Sequence, residues 1–269
     1  MPDIFNLMAH WWKRILAVVL LSLLTVGIIT FLKPVKYLSV TTAVPASSYA
    51  SDRAKIFNSS IEGLYSTLGS ADDLDRIVGT ASLDTVYLYV AEQFNLFDHY
   101  KIKETENKAL TKAAAELKEN AKVMKSEFGE LKVKVWDTDK NLAPQLANAV
   151  MAKLHSMHTD IQAAGNEATL IALKKSKEEI QKQGDSSLNS LESKLEAQER
   201  IKEYDKLIGQ YQLVVDSKPP VLVIVEKARA SLRPDKPKRL QILVATAVLS
   251  FLFALLAALV MERRKTEGK

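Results

Sequence analysis

Two stretches of the chain are almost wholly apolar. Residues 15–32 read ILAVVLLSLLTVGIITFL, 18 residues with no charge. Residues 240–260 read LQILVATAVLSFLFALLAALV, 21 residues in which Gln241 is the only strongly polar one. A bilayer core about 30 Å thick takes about 20 helical residues at ~1.5 Å each, so both are expected to cross a membrane. A buried core helix of that length ordinarily carries some charge. Trp11, Trp12, Lys13 and Arg14 precede the first stretch, and Lys33, Pro34 and Lys36 close it. Indoles and cations at headgroup level are interfacial anchors. A signal peptide has a shorter apolar run of about 7–15 residues and a small-residue cleavage site, and no such site follows Leu32 directly. The first stretch is therefore expected to be an uncleaved anchor.

Between the spans, residues 33–239 hold nearly all the charge and form one extramembrane unit. Residues 37–44 (YLSVTTAV) are rich in β-branched residues and stop at Pro45, which predicts a strand. Helical spacing of apolar positions follows in residues 56–68, then from Ser70 and Asp73 through Val78, then around Val86, Tyr87, Val90, Ala91 and Phe94. Residues 103–122, rich in Lys, Glu and Ala, predict an exposed helix. The period then changes. In ELKVKVW (130–136), Leu131, Val133 and Val135 alternate with polar residues, which predicts a half-buried strand. Phe128-Gly129 offers a turn before it, and Asp137-Thr-Asp-Lys-Asn offers caps after it. A long helix is expected over 142–180, with Gly165 as its weak point. Gln183-Gly-Asp-Ser-Ser predicts a break. Helical patterning resumes over 188–215: Leu188, Leu191 and Leu195, then Ile201, Tyr204, Ile208 and Tyr211 in shifted phase. VLVIV (221–225) predicts a short strand buried on both faces.

The expected class is α+β. Its strands lie close in sequence to the spans, and a long helical arm rises from the middle. The expected organisation is a stub at 1–14, a span at 15–32, a domain at 33–239, a second span at 240–260 and a tail at 261–269. Within the domain, 33–141 and 216–239 form a base and 142–215 the arm. Two spans put both termini on one side. Cations flank both ends of both spans, so the positive-inside rule is nearly balanced. Long loops translocate largely regardless of charge, which favours cytoplasmic termini.

Hydrophobic residues make up 47% and charged residues 26%, which excludes wholesale disorder. The net charge is +5, but the cations are scattered and mark no nucleic-acid domain. With no cysteine, disulfides, thiolate metal sites and a Cys nucleophile are excluded. His155 and His158 share a helix face but lack a third ligand nearby. Asp137-x-Asp139-x-Asn141 starts like a calcium loop, yet its sixth position is Leu142 and its twelfth Asn148, so a capping loop explains it better. No dinucleotide, P-loop or nucleophile-elbow motif occurs. Asn58-Ser-Ser is a formal glycosylation signal of little specificity. No catalytic, cofactor or metal site is expected. The stretch from Lys218 to Arg239 is more specific: Pro219, Pro220, Pro234 and Pro237 stiffen a basic approach to the second span.

At these residues the chain resembles the chain-length determinant (Wzz-type) polysaccharide co-polymerases. The ordered features are a span near each end, a strand at 37–44, DTVYLYVAEQFNL (84–96), FGELKVKVWDTD (128–139), LAPQLANAVMAKL (142–154) with Ala147-Asn148, and VLVIVEKARASLRPDKPKR (221–239). The resemblance covers essentially the whole chain; each motif is loose and their order is the specific part. It departs at the second span, where that family's glycines are absent and Ala254 and Ala258 offer a small-xxx-small pair instead.

The resemblance implies a bacterial inner-membrane protein with cytoplasmic termini and a periplasmic domain. It also implies a homo-oligomeric ring, work beside a membrane polysaccharide polymerase on a glycan chain such as O-antigen, and no cofactor or covalent chemistry. Subunit packing is then expected along the arm, through Leu188, Leu191, Leu195, Ile201, Tyr204, Ile208 and Tyr211. Two rival classes stay open. One is an adaptor for a separate cytoplasmic tyrosine kinase in capsule or exopolysaccharide export, against which the nine-residue tail counts mildly. The other is a two-span envelope scaffold or sensor.

Overall fold

The computed structural model describes residues 4–46, 71–187 and 191–267. The helix expected at 56–68, the Asn58 signal and Leu188 lie outside them. The described residues are mostly helical, with one small sheet. They divide into two compact units, each taken here by itself.

The larger unit comprises Ser39–Trp136 and Asn141–Ala230. Its sheet has the strand order β2-β3-β1-β4. The strands are β1 (Tyr37–Pro45), β2 (Ala121–Lys125), β3 (Leu131–Asp137) and β4 (Leu222–Glu226). Strands β2 and β3 form an antiparallel hairpin in which Val123 faces Val133. Its turn depends on Gly129, whose φ of +74° is strained for any residue with a Cβ. Strand β3 alternates as its sequence predicts, with Leu131, Val133 and Val135 fully buried. Strand β2 corrects the expectation of a helix over 103–122. That helix stops at Glu119, and Lys122, Val123 and Met124 pair in the sheet instead. Their cross-strand partners in β3 outweigh a weak helical preference.

Helices α2 (Ala71–Thr80), α3 (Asp84–Gln93), α4 (Leu96–His99) and α5 (Glu106–Glu119) supply the rest of the core. Leu74, Ile77, Val86, Val90, Leu96 and Leu117 are buried with the sheet residues. Helix α6 (Leu142–Ser187) is rooted in the same core through Leu146, Val150, Met151 and Leu154. Its 46 residues make it about 69 Å long at ~1.5 Å per residue. The break expected at Gln183-Gly184 does not occur, and the helix continues to Ser187. One glycine costs about 1 kcal/mol, too little to end a helix of this length.

Helix α7 (Leu191–Ser217) returns beside α6. Lys177 meets Asp205 at 2.5 Å, and Lys174 meets Gln212 at 3.3 Å, which sets an antiparallel register. These contacts are largely exposed and add little stability. Lys218 adopts φ +40° and Pro219-Pro220 follow, which stops α7 before β4.

The expectation that 221–225 is buried on both faces is not met. Val221 and Leu222 are buried, but Ile224 and Val225 are 40% and 56% exposed. Among the described residues β4 is an edge strand paired only with β1, so one long side of it stays open.

The smaller unit comprises Met1–Leu38, Asp137–Lys140 and Ser231–Lys269. Helices α1 (Ile4–Leu32) and α8 (Arg239–Glu267) dominate it. Both are long and apolar enough to cross a membrane, over Ala9–Leu32 and Arg239–Arg263. Each exceeds the expected span. Helix α8 also runs through most of the stretch expected as a tail.

Candidate functional site

Strand β1 carries an unusual run of hydroxyls for a buried strand. Ser39, Thr41 and Thr42 are all buried. Their sequence suggests only β-propensity; their bonds show a second use. Thr41 Oγ1 donates to the Glu226 carbonyl at 2.9 Å, and Ser39 Oγ donates to the Arg229 carbonyl at 2.9 Å. The chain leaving β4 is thus tied along β1 beyond the last strand pair.

Asn148 completes this clamp from the root of α6. Its Oδ1 accepts the Ala228 N–H at 2.9 Å, and its Nδ2 reaches the Ala228 carbonyl at 3.4 Å. One amide side chain therefore satisfies both backbone groups of a residue in no strand or helix. Ala228 is itself 8% exposed, so those groups have little access to water. Sequence reading singles out Ala147-Asn148 and the stretch 221–239 separately; the structure brings Asn148 and Ala228 together.

Across the same unit, His158 Nε2 lies 3.0 Å from Thr80 Oγ1. Burial pushes the imidazoles of both His155 and His158 down, and for His158 the nearby Asp73 opposes the shift. His155 Nδ1 is buried without a hydrogen-bond partner. Among the described residues no group of three or more potential metal ligands occurs. In the loop before α6, Asp137 Oδ1 accepts the Asp139 N–H at 2.8 Å, an Asx turn formed by the residues that begin like a calcium loop. A cavity of about 410 Å³ lined by Leu88, Thr111 and Ala114 is rimmed by the Lys118–Asp84 ion pair, 2.6 Å long.

The arm residues fall into two groups. Ile201, Tyr204, Ile208 and Tyr211 are half-buried within the single chain. Leu195 is 58% exposed, with Leu207 and Leu213 also exposed on α7. Leu191 opens α7.

In the smaller unit, Ala254 and Ala258 are buried against Trp11 and Ile15. Trp11 Nε1 donates to Glu262 Oε2 at 2.8 Å, Gly27 faces Leu243, and Arg239 stacks on Phe31 at 4.5 Å. These pairs make α1 and α8 antiparallel neighbours. Of the prolines, Pro237 is half-buried, Pro234 is exposed, and the Lys236–Pro237 peptide is cis. Pro219 and Pro220 belong to the larger unit, so the four prolines do not form one cluster. The backbone beside Pro237 is fixed by a bridge, in which Lys36 N–H donates to the Lys236 carbonyl at 2.9 Å.

No protein-family model matches the chain, and no curated protein matches it. Solved structures similar to it include two polysaccharide co-polymerases. One is described as a full-length bacterial polysaccharide co-polymerase, with 12% identity, 100% of this chain and 98% of that one covered, and a TM-score of 0.39. The other is a fragment of WzzB, a polysaccharide co-polymerase from Salmonella Typhimurium, with 12% identity, 75% and 100% covered, and a TM-score of 0.29.

Proposed function

We propose that this chain is an inner-membrane polysaccharide co-polymerase. It would set the chain length of a surface glycan such as O-antigen, as a homo-oligomer beside the polymerase. The observation that carries this reading is the clamp of Asn148 on Ala228. Two stretches that resemble the Wzz-type co-polymerases, 142–154 and 221–239, meet there, and β3 from a third packs in the same core. A resemblance spread over loose motifs gains weight when the motifs form one physical unit.

In this reading the domain is periplasmic and both termini are cytoplasmic. Residues 33–141 and 216–239 form the base, and 142–215 the arm. The reading assigns no covalent step to the chain. Its work is positional, holding the glycan or the polymerase so that extension stops near a preferred length. Assembly would cover what one chain leaves open: Leu195, Leu207 and Leu213 on α7, and the apolar edge of β4. Pro219 and Pro220 would stiffen the entry into β4, Pro234 and Pro237 the path from β4 to the bilayer, and Ala254 and Ala258 would let the spans approach closely.

The test is a gel ladder of the surface polysaccharide from the native strain, with and without this gene. Loss of the modal band cluster, restored by the wild-type gene, supports length control. An unchanged ladder overturns it. Total loss of polymer replaces it with an export role.

A further inference from the structure

We infer that the cleft between α3 and α5 is a subsite for a neutral sugar residue of the glycan. The inference rests on the co-polymerase reading and gives the glycan a contact within it. The cleft encloses about 410 Å³ and is lined by Asp84 and Leu88 from α3 and by Thr111, Ala114, Lys118 and Glu119 from α5. Its opening comes from Ala114 and its neighbour Ala115, whose methyls leave the space beside Leu88 unfilled.

The polar groups of the cleft are fixed and keep hydrogen-bonding capacity. Lys118 Nζ donates to Asp84 Oδ1 at 2.6 Å and lies 5.9 Å from the centre of the Tyr87 ring. Tyr87 is buried, so the ammonium has two anchors. An ammonium has three N–H donors and a carboxylate two oxygens, so neither partner is exhausted by that pair. Thr111 Oγ1 donates to the Asn107 carbonyl at 2.9 Å, which leaves its lone pairs as acceptors. Glu119 is exposed and makes no ion pair among the described residues.

Apolar walls with a few fixed polar groups are the make-up of a small-molecule site. A sugar ring matches it on both counts. Its C–H face suits Leu88, Ala114 and Ala115, and its adjacent hydroxyls can donate to the carboxylates and accept from Lys118. Charge selects the neutral class. Asp84 and Glu119 set two carboxylates against one ammonium, so a phosphate or a uronate meets net repulsion there. An apolar side chain from a second copy would fill the walls and leave these polar groups unused.

The experiment uses the full chain purified in a detergent without a sugar headgroup. The probe is an oligosaccharide fraction cut by mild acid from the surface polysaccharide of the native strain. Saturation-transfer NMR, titrated with that fraction, reads contact and affinity. Wild type should transfer saturation to the sugar ring protons. Ala115→Trp, which fills the cleft with an indole, should abolish the transfer. Glu119→Gln should weaken affinity about tenfold, as expected for a lost hydrogen bond to a charged group. Glu179→Gln, exposed on the arm, should change neither.

No transfer from wild type, or transfer unchanged in Ala115→Trp, overturns the inference. Tighter binding by Glu119→Gln also overturns it, because it would mark an anion. Reduced oligomer mass in Ala115→Trp, with no sugar binding by wild type, would assign the cleft to subunit packing instead. Melting matched to wild type shows that Ala115→Trp is folded, and Glu119→Lys serves if it is not. Gene deletion separates this inference from the reading it rests on. An altered ladder without binding at the cleft leaves length control standing and ends the subsite. Binding at the cleft with an unchanged ladder leaves the subsite standing and ends length control.

Discussion

Asn148 Oδ1 accepts the backbone N–H of Ala228, 80 residues further along the chain, at 2.9 Å. The bond joins the root of the long helix α6 to the segment that leads toward α8. Removing the amide leaves a nearly buried N–H without its partner. Asn148→Ala should destabilise the domain by about 1–3 kcal/mol. Urea unfolding measures it, and faster hydrogen exchange at the Ala228 amide would locate the loss. Unchanged stability would mean that water replaces the amide.

Gly165 and Gly209 lie inside α6 and α7, and a Cβ at either would meet nothing within 4 Å. Gly165→Ala and Gly209→Ala should each stabilise the arm by about 1 kcal/mol. Gly129→Ala should do the reverse by about 1–2 kcal/mol, because φ is +74° there. Thermal melting of the three variants should move in these opposite directions.

Burial lowers the folded-state pKa of His155 and His158 below the ordinary 6.5. The unfolded chain therefore binds more protons than the folded one as pH falls through that value. Stability is full above it and declines below it, down to the lowered folded values. Urea midpoints at pH 8 and pH 5.5 should differ, and His155→Gln with His158→Gln should shrink the difference. A midpoint that rises on acidification would contradict the burial.

Leu195 and Ile208 separate two roles for the arm. Leu195 is 58% exposed, whereas Ile208 is half-buried in the single chain. Leu195→Asp should reduce oligomer size, seen as mass by light scattering in detergent, while monomer melting stays within about 0.5 kcal/mol of wild type. Ile208→Asp should lower both, because it places a charge in a packed stripe. Wild-type oligomers from both variants would move subunit packing elsewhere.

Period was the legible part of this chain. The alternation of Leu131, Val133 and Val135 marks β3, and the uncharged runs mark α1 and α8. What period could not show was pairing. Strand β2 hides in a Lys- and Ala-rich stretch because its preference is weak and β3 decides it. The β4 run looks doubly buried from composition alone, yet its place at the sheet's edge exposes Ile224 and Val225. The clamp was hidden for a similar reason. Asn148, Ser39 and Thr41 look like ordinary polar residues until the backbone of 226–229 is laid beside them.

The bond from Thr41 to Glu226 spans 185 residues. At about 5–20 residues per second, a ribosome needs roughly 10–40 s to make the chain between them. Throughout that interval β1 has emerged and its last partner does not yet exist. Helices α6 and α7 are made and can pair locally in the meantime, since nearby contacts close fastest. The sheet is therefore finished from its late end, and only as the second apolar helix is being synthesised. A nascent chain arrested before β4 would hold a paired helical hairpin above an unsealed strand, and that intermediate is the one a protease or a folding helper would meet.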